Sequence, residues 1–265
     1  MPAARPASVA APLNADFPTP AVAVRGVNKV YGPAGNQVLA LRDISLAVAP
    51  GEFVCLVGAS GCGKSTLLNI VAGLDRPAGG EVQIVGRRAM LFQEAGLFPW
   101  LTAAANVELA LRLAGRPAAE RRTEAERLLR TVRLDGFADK RPHELSGGMR
   151  QRVALARAFA QSADILFMDE PFGSLDAMTR DLLHDELEAL WADRGFSVLF
   201  VTHDVREAVR LGDRVLVLTS RPGSVAAEFA VDIPRPRRVG DPRETGLVAA
   251  ITDRLRREVR GHAED

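Results

Sequence analysis

At 265 residues, 47% of them hydrophobic and 25% charged, the chain is long enough to bury a substantial core in one large domain or two small ones. Its 34 Lys and Arg nearly cancel 33 Asp and Glu, so the whole-chain field gives no reason to expect nucleic acid or an anionic lipid surface as a partner. No apolar run approaches the ~20 residues that cross a bilayer, the N-terminus lacks the apolar core of a secretory signal, and Cys55 and Cys62 have neither zinc-ligand spacing nor a disulfide framework, which predicts a chain that stays in a reducing cytosol.

Residues 1–20, rich in Ala and Pro and ending in Phe17-Pro18-Thr19-Pro20, predict a disordered leader. Short apolar stretches at Ala21 to Val24, Gln37 to Leu41 and Ile44 to Val48 suit a small antiparallel sheet. Glu52 to Val57 reads as a buried strand that enters a glycine-rich turn. From about Gln93 to Gln161 the pattern is helical: Thr102 can cap a segment running to Gly115, and Ala125, Leu128, Leu129 and Val132 form one apolar stripe. Strands return at Ile165 to Met168, Ser197 to Val201 and Arg214 to Leu218. A helix through Leu182, Leu187 and Trp191, closed by Gly195, lies between the first two. Strands that are apolar throughout, alternating with helices, predict an α/β fold with a parallel core and a helical insertion. The Arg cluster from Arg235 to Arg238 reads as a solvated loop, and Gly246 to Arg260 as a terminal amphipathic helix.

Three segments carry chemistry. Gly58-Ala59-Ser60-Gly61-Cys62-Gly63-Lys64-Ser65 fits the phosphate-loop pattern between a strand and a helical run that begins at Thr66. Glycines let backbone N–H groups converge on a polyphosphate, and the helix N-terminus adds positive potential. In that pattern Lys64 reaches the β- and γ-phosphates and Ser65 ligates Mg²⁺. Ile165-Leu166-Phe167-Met168-Asp169-Glu170 places two carboxylates at the carboxyl end of a strand: Asp169 is suited to hold Mg²⁺ or its water, and Glu170 to act as general base. Leu145-Ser146-Gly147-Gly148 opens a helix, and taken alone it is a good N-cap.

Together these motifs make the chain resemble the ATP-binding cassette family, the nucleotide-binding subunits of ABC transporters, over about Ala21 to Val225. The resemblance implies a P-loop NTPase core of the RecA-like type with an N-terminal antiparallel β subdomain. It also implies a helical subdomain at about 94–160 within an ATPase domain of 21–225, followed by a C-terminal extension at 226–265. It further implies ATP as substrate, Mg²⁺ as cofactor, and a second copy of the chain, whose ATP, held on its phosphate loop, meets Ser146, Gly147 and Gly148 of the Leu-Ser-Gly-Gly signature segment. Met149 stands where the family often has Gln. Residue by residue, Tyr31 matches the aromatic that stacks on adenine, and its ordinary alternative is an edge-strand aromatic. Gln93 matches the residue that contacts Mg²⁺ and water, Asp176 in Ser174-Leu175-Asp176 the loop that crosses to the second copy, and His203 the histidine that contacts the γ-phosphate. Asp176 alone reads as a helix N-cap. His143, His184 and His262 are expected to serve packing or the surface.

The family delivers its motion to membrane permease subunits near Gln93, where Phe98, Trp100 and Leu101 flank a proline that cannot sit inside a helix. Phe-Pro-Trp-Leu-Thr, Arg221-Pro222-Gly223 and the run from Asp232 to Arg237 look like the bacterial nitrate, sulfonate and taurine importer branch. That implies an external substrate-binding protein and a peripheral place on the cytoplasmic face of the cell membrane. An importer of another small nutrient, or a non-transport ATPase of the same superfamily, is the alternative. A DNA-repair relative would need a long coiled-coil insertion, for which Gln93 to Ser146 is too short. A small-molecule kinase would leave Leu-Ser-Gly-Gly unexplained.

Overall fold

The computed structural model describes residues 19–33, 35–237 and 242–261. All but the last two residues of the expected leader, together with Arg238 and His262, lie outside them. The chain packs as two units, the first made of the described residues of Met1–Val85 and Ser197–Asp265, the second of Gly86–Phe196.

In the first unit, β1 (Val22–Tyr31), β2 (Val38–Val48) and β4 (Gly79–Ile84) form an antiparallel sheet in the order β2-β1-β4. Val22, Val24 and Val27 of β1 and Ile44, Leu46 and Val48 of β2 are buried, about 1.5–3 kcal/mol for each fully buried side chain of this size. The stretches predicted separately at Gln37 to Leu41 and Ile44 to Val48 are one strand. Asp43 adopts φ 47°, its N–H donates to Asn28 Oδ1 at 3.0 Å, and the register with β1 shifts around it. The polar pair Arg42-Asp43 thus makes a bulge where a break is predicted.

The second sheet of this unit is centred on β3 (Phe53–Val57), whose residues are all buried. It pairs in parallel with β7 (Ser197–Thr202) on one side and β8 (Arg214–Leu218) on the other. An antiparallel strand, β9 (Val225–Ala230), is added to β8. Helices α1 (Lys64–Ala72), α6 (Val205–Leu211) and α7 (Pro242–Gly261) complete the unit. Strands β4 and β9 are only partly buried along their length; β4 opens on two glycines, which read as a break, and β9 is a short Ala-rich run interrupted by Glu228, so neither carries the β-branched and aromatic enrichment that marks a strand.

The expectation of a solvated Arg loop is corrected for the described part of that cluster. Arg237 is 6% exposed, and its guanidinium donates to the carbonyls of Val209, Arg210 and Gly212 at the end of α6, and to those of Val231 and Ile233. Arg235 donates to Leu211 O and to Asp213. A helix C-terminus leaves carbonyls without intrahelical partners and carries partial negative charge, and a planar guanidinium satisfies both demands.

The second unit holds the parallel pair β5 (Arg88–Leu91) and β6 (Ile165–Asp169), with helices α2 (Ala103–Leu113), α3 (Ala118–Thr131), α4 (Gly147–Ala160) and α5 (Ala177–Arg194). Thr102 caps α2, accepting from Ala105 N at 3.1 Å, as its position predicts. The stripe Ala125, Leu128, Leu129 and Val132 is buried. Gly195 closes α5 at φ 65°, a left-handed conformation that glycine adopts without the Cβ penalty.

Candidate nucleotide-binding site

The phosphate loop leaves β3 at Gly58 and enters α1 through Gly63, at φ 102°. A Cβ at Gly63 would stand 2.6 Å from Leu41 Cδ2, so both conformation and space require glycine there. Lys64 is 6% exposed. Its Nζ donates to the carbonyls of Gly58 at 2.8 Å and Ala59 at 3.0 Å, which holds the ammonium inside the curve of the loop. Ser65, by contrast, is exposed, and so are Ser60 and Gly61 nearby. The Cys62 thiol is pushed up by burial, with Lys64 acting in the opposite direction, so it remains a neutral packing group at neutral pH.

Two further residues of the first unit belong to this neighbourhood. Thr202 pairs in register with Val57, so exposed His203 leaves β7 at the same sheet edge from which the phosphate loop leaves β3. Tyr31 is 43% exposed, and its hydroxyl donates to Asp75 Oδ2 at 2.8 Å. Lys29 Nζ lies 4.8 Å from the ring centroid and 2.6 Å from Asp75 Oδ1. Burial, then the bond to Asp75, raises the phenol, while a hydrogen bond with Thr66 acts the other way. Tyr31 is therefore tied to Asp75, just beyond the end of α1, and Lys29 sits over its ring as a cation–π partner.

In the second unit Leu91 and Met168 are register partners. Gln93 and the Asp169-Glu170 pair therefore emerge from the same carboxyl edge of β5 and β6. Gln93 is exposed and Asp169 buried. Glu170 adopts φ 44°, a left-handed conformation that costs a non-glycine residue about 1–3 kcal/mol and clusters at functional sites. It turns the chain sharply, with Gly173 N donating back to Glu170 O at 3.2 Å.

Ser146 caps α4, its Oγ accepting from Met149 N at 3.2 Å, and Gly147 and Gly148 open the helix. Gly148 packs on the loop before α5: a Cβ there would be 2.9 Å from Leu175 Cδ2. The signature segment and Ser174-Leu175-Asp176 thus meet. Asp176 caps α5, accepting from Thr179 N at 2.9 Å. That bond, largest among its causes, holds the carboxyl below its usual range. His184 is buried edge-on against Phe172 with ring centres 4.9 Å apart, a packing role as expected, and His143 is exposed.

The loop after Gln93 is held by side chains that no motif announces. Gln151 Nε2 donates to Phe92 O at 3.1 Å, and Arg157 to the carbonyls of Gly96 and Ala95 at 2.7 and 2.8 Å. Fully buried Asn106 accepts from Phe98 N at 2.9 Å and donates to the carbonyls of Phe98, Leu101 and Thr102. The loop so fixed presents Trp100 at 68% exposure and Phe98 at 38%, their ring centres 5.5 Å apart, with Leu101 half-buried beside them. Only a search for buried polar residues in helices could have suggested Asn106, Gln151 and Arg157.

The family model described as ABC transporter matches residues 41–173, which spans the phosphate loop, the signature segment and the two carboxylates. The chain belongs to the ABC transporter family. An uncharacterized ABC transporter ATP-binding protein of Methanocaldococcus jannaschii is 46% identical over 222 residues, 81% of this chain and 83% of that protein. The nitrate import ATP-binding protein NrtD of Synechocystis is 45% identical over 80% of this chain and 82% of its own length. The bicarbonate transport ATP-binding protein CmpC of the same genus is 47% identical over 82% of this chain and 34% of that longer protein. Among solved structures, a dimeric ATP-binding cassette in a post-hydrolysis state with ADP and Pi matches with a TM-score of 0.75 and 35% identity, covering 80% of this chain and all of that one. The ABC chain described here is accordingly an ATPase with the P-loop NTPase fold. The α/β architecture expected from the motifs is the one found.

Proposed function

We propose that this ABC ATPase powers uptake of a small oxyanion of the nitrate, bicarbonate or sulfonate class through separate membrane subunits. The observation that carries the reading is the similarity, at 45–47% identity over four-fifths of the chain, to ATP-binding proteins named for nitrate import and bicarbonate transport. Sulfonate and taurine remain in the class through the sequence features noted above. No described helix is long and apolar enough to cross a membrane; the permease subunits belong to this reading through the import-system relatives. The chain is assigned to the cytoplasmic face as a peripheral subunit, served from outside by a substrate-binding protein.

In this reading Tyr31 takes the adenine, and the N–H groups from Gly58 to Thr66 take the phosphates, with the Lys64 ammonium already facing into the loop. Ser65, Gln93 and Asp169 offer hard oxygen donors of the kind Mg²⁺ accepts. Among the described residues no group of three His, Cys, Asp or Glu could form an all-protein metal cage, which fits an ion held largely by phosphate and water. When bound, Mg²⁺ neutralises charge developing on the transferred phosphoryl group. Glu170 takes the proton of the attacking water, and His203 donates to the γ-phosphate. Ser146 Oγ accepts from Met149 N with one lone pair, and its hydroxyl hydrogen binds the γ-phosphate held by the second copy, beside the positive end of α4. Asp176 lines that crossing.

Phe98, Trp100 and Leu101 form the contact with a cytoplasmic segment of the permease, since an exposed Trp–Phe pair beside a fixed loop is a typical anchor. Trp100→Ala is expected to lower transport in the reconstituted complex by about tenfold or more while ATP hydrolysis by the isolated subunit stays within about twofold. Unchanged permease association would remove Trp100 from this surface. Copurification with the membrane partner, followed by uptake assays with nitrate, bicarbonate, alkanesulfonates and taurine, tests the substrate class. Uptake of none of these would overturn it.

A further inference from the structure

The turn between β8 and β9 touches both the phosphate loop and the C-terminal helix. It closes on itself: Thr219 Oγ1 donates to Pro222 O and accepts from Ser224 N, both at 2.8 Å, and Thr219 N donates to Ser224 O at 2.9 Å. It is then bonded to β2, with Gly223 N donating to Ala40 O and Arg42 N to Gly223 O, each at 2.9 Å. At that point Gly223 lies against the backbone of the phosphate loop, where a Cβ would stand 2.2 Å from Cys62 O. Arg221 Nη2 reaches the same loop and donates to Gly61 O at 3.4 Å. On the other side Ser220 Oγ donates to Glu258 O of α7 at 3.4 Å. Arg254 of α7, ion-paired with Glu258 at 2.7 Å, donates to Ala226 O of β9 at 3.0 Å.

We propose that the 219–224 turn is a brace that sets the positions of Gly61 and Cys62, and that α7 sets the brace, so the C-terminal extension tunes ATP affinity. Arg221 and Gly223 act as positioning residues: neither is assigned to ATP, and both hold the backbone whose N–H groups receive the phosphates. Donors aimed at a polyphosphate lose their value when displaced by an ångström. A methyl group at Gly223 must displace the Cys62 carbonyl, which is backbone and cannot rotate away. The inference rests on the nucleotide site and is independent of the transported substrate.

The test uses the full chain carrying Gly223→Ala, Arg221→Ala, Arg221→Lys or the pair Ser220→Ala with Arg254→Ala, with ATP KM and kcat measured alongside thermal melting. For Gly223→Ala, KM is expected to rise about tenfold with kcat within about twofold. About threefold is expected for Arg221→Ala, with recovery in Arg221→Lys, and about threefold for the pair in α7 and the turn. Lowered melting temperatures with wild-type KM throughout would mean a purely structural turn and overturn the brace. Wild-type KM in the Ser220, Arg254 pair alone would remove α7 from it. Should Gly223→Ala fail to fold, the Arg221 pair decides. An intact effect of Lys64→Ala beside unaffected Arg221 variants would sink the brace and spare the nucleotide site, and unaltered ATP affinity in Lys64→Ala would sink the site itself.

Discussion

Glu170→Gln is expected to lower steady-state ATP hydrolysis by about 10²- to 10⁴-fold while leaving ATP bound. Glutamine keeps the size of the side chain and a carbonyl oxygen that can accept a hydrogen bond from water, but it cannot carry away the proton. The left-handed turn at Glu170 and the bond from Gly173 N to its carbonyl belong to the backbone, so the substitution leaves the geometry of the turn in place. The chain should then accumulate as an ATP-holding pair of copies, read by light scattering with and without ATP. Hydrolysis at the wild-type rate would take Glu170 out of its role.

Lys64→Ala is expected to weaken ATP binding by about a hundredfold, close to 2.7 kcal/mol, with adenosine affinity nearly unchanged. The substitution removes the bonds to the carbonyls of Gly58 and Ala59 together with the charge that, on the proposed reading, meets the phosphates. Calorimetric titration with ATP, ADP and adenosine separates them. Loss confined to the phosphorylated ligands reports the charge. Equal loss for adenosine would report a collapsed loop.

The phosphate-loop segment was legible in the sequence because its chemistry demands contiguous residues. A phosphate loop needs glycines at fixed offsets before a lysine, and Gly63 shows both reasons at once, a positive φ and a leucine methyl in the space a Cβ would take. The buried strands β3, β6 and β7 were legible as apolar runs. What holds the loop after Gln93 in place was not. Gln151 and Arg157 look like ordinary helix residues until the carbonyls they meet, about 60 residues away in the chain, are seen, and Asn106 until the local carbonyls it gathers are. Arg237 illustrates the same limit from the other side. Charge-dense loop sequence predicts solvation, and only the unsatisfied carbonyls at the end of α6 give that guanidinium a reason to be buried. Strands β4 and β9 failed for a third reason, since a strand that opens on two glycines and an Ala-rich run broken by a glutamate are poor in the residue types by which strands are read.

Helix α4 has a consequence that follows from its bonds alone. Ser146 stands at its first turn, Gln151 grips the carbonyl of Phe92 one turn on, and Arg157 grips those of Ala95 and Gly96 near its far end. Its 14 residues span about 21 Å at 1.5 Å each. One helix therefore carries Ser146 at its tip and bonds the stretch from Phe92 to Gly96 at two points along its length, so the two segments share a single support.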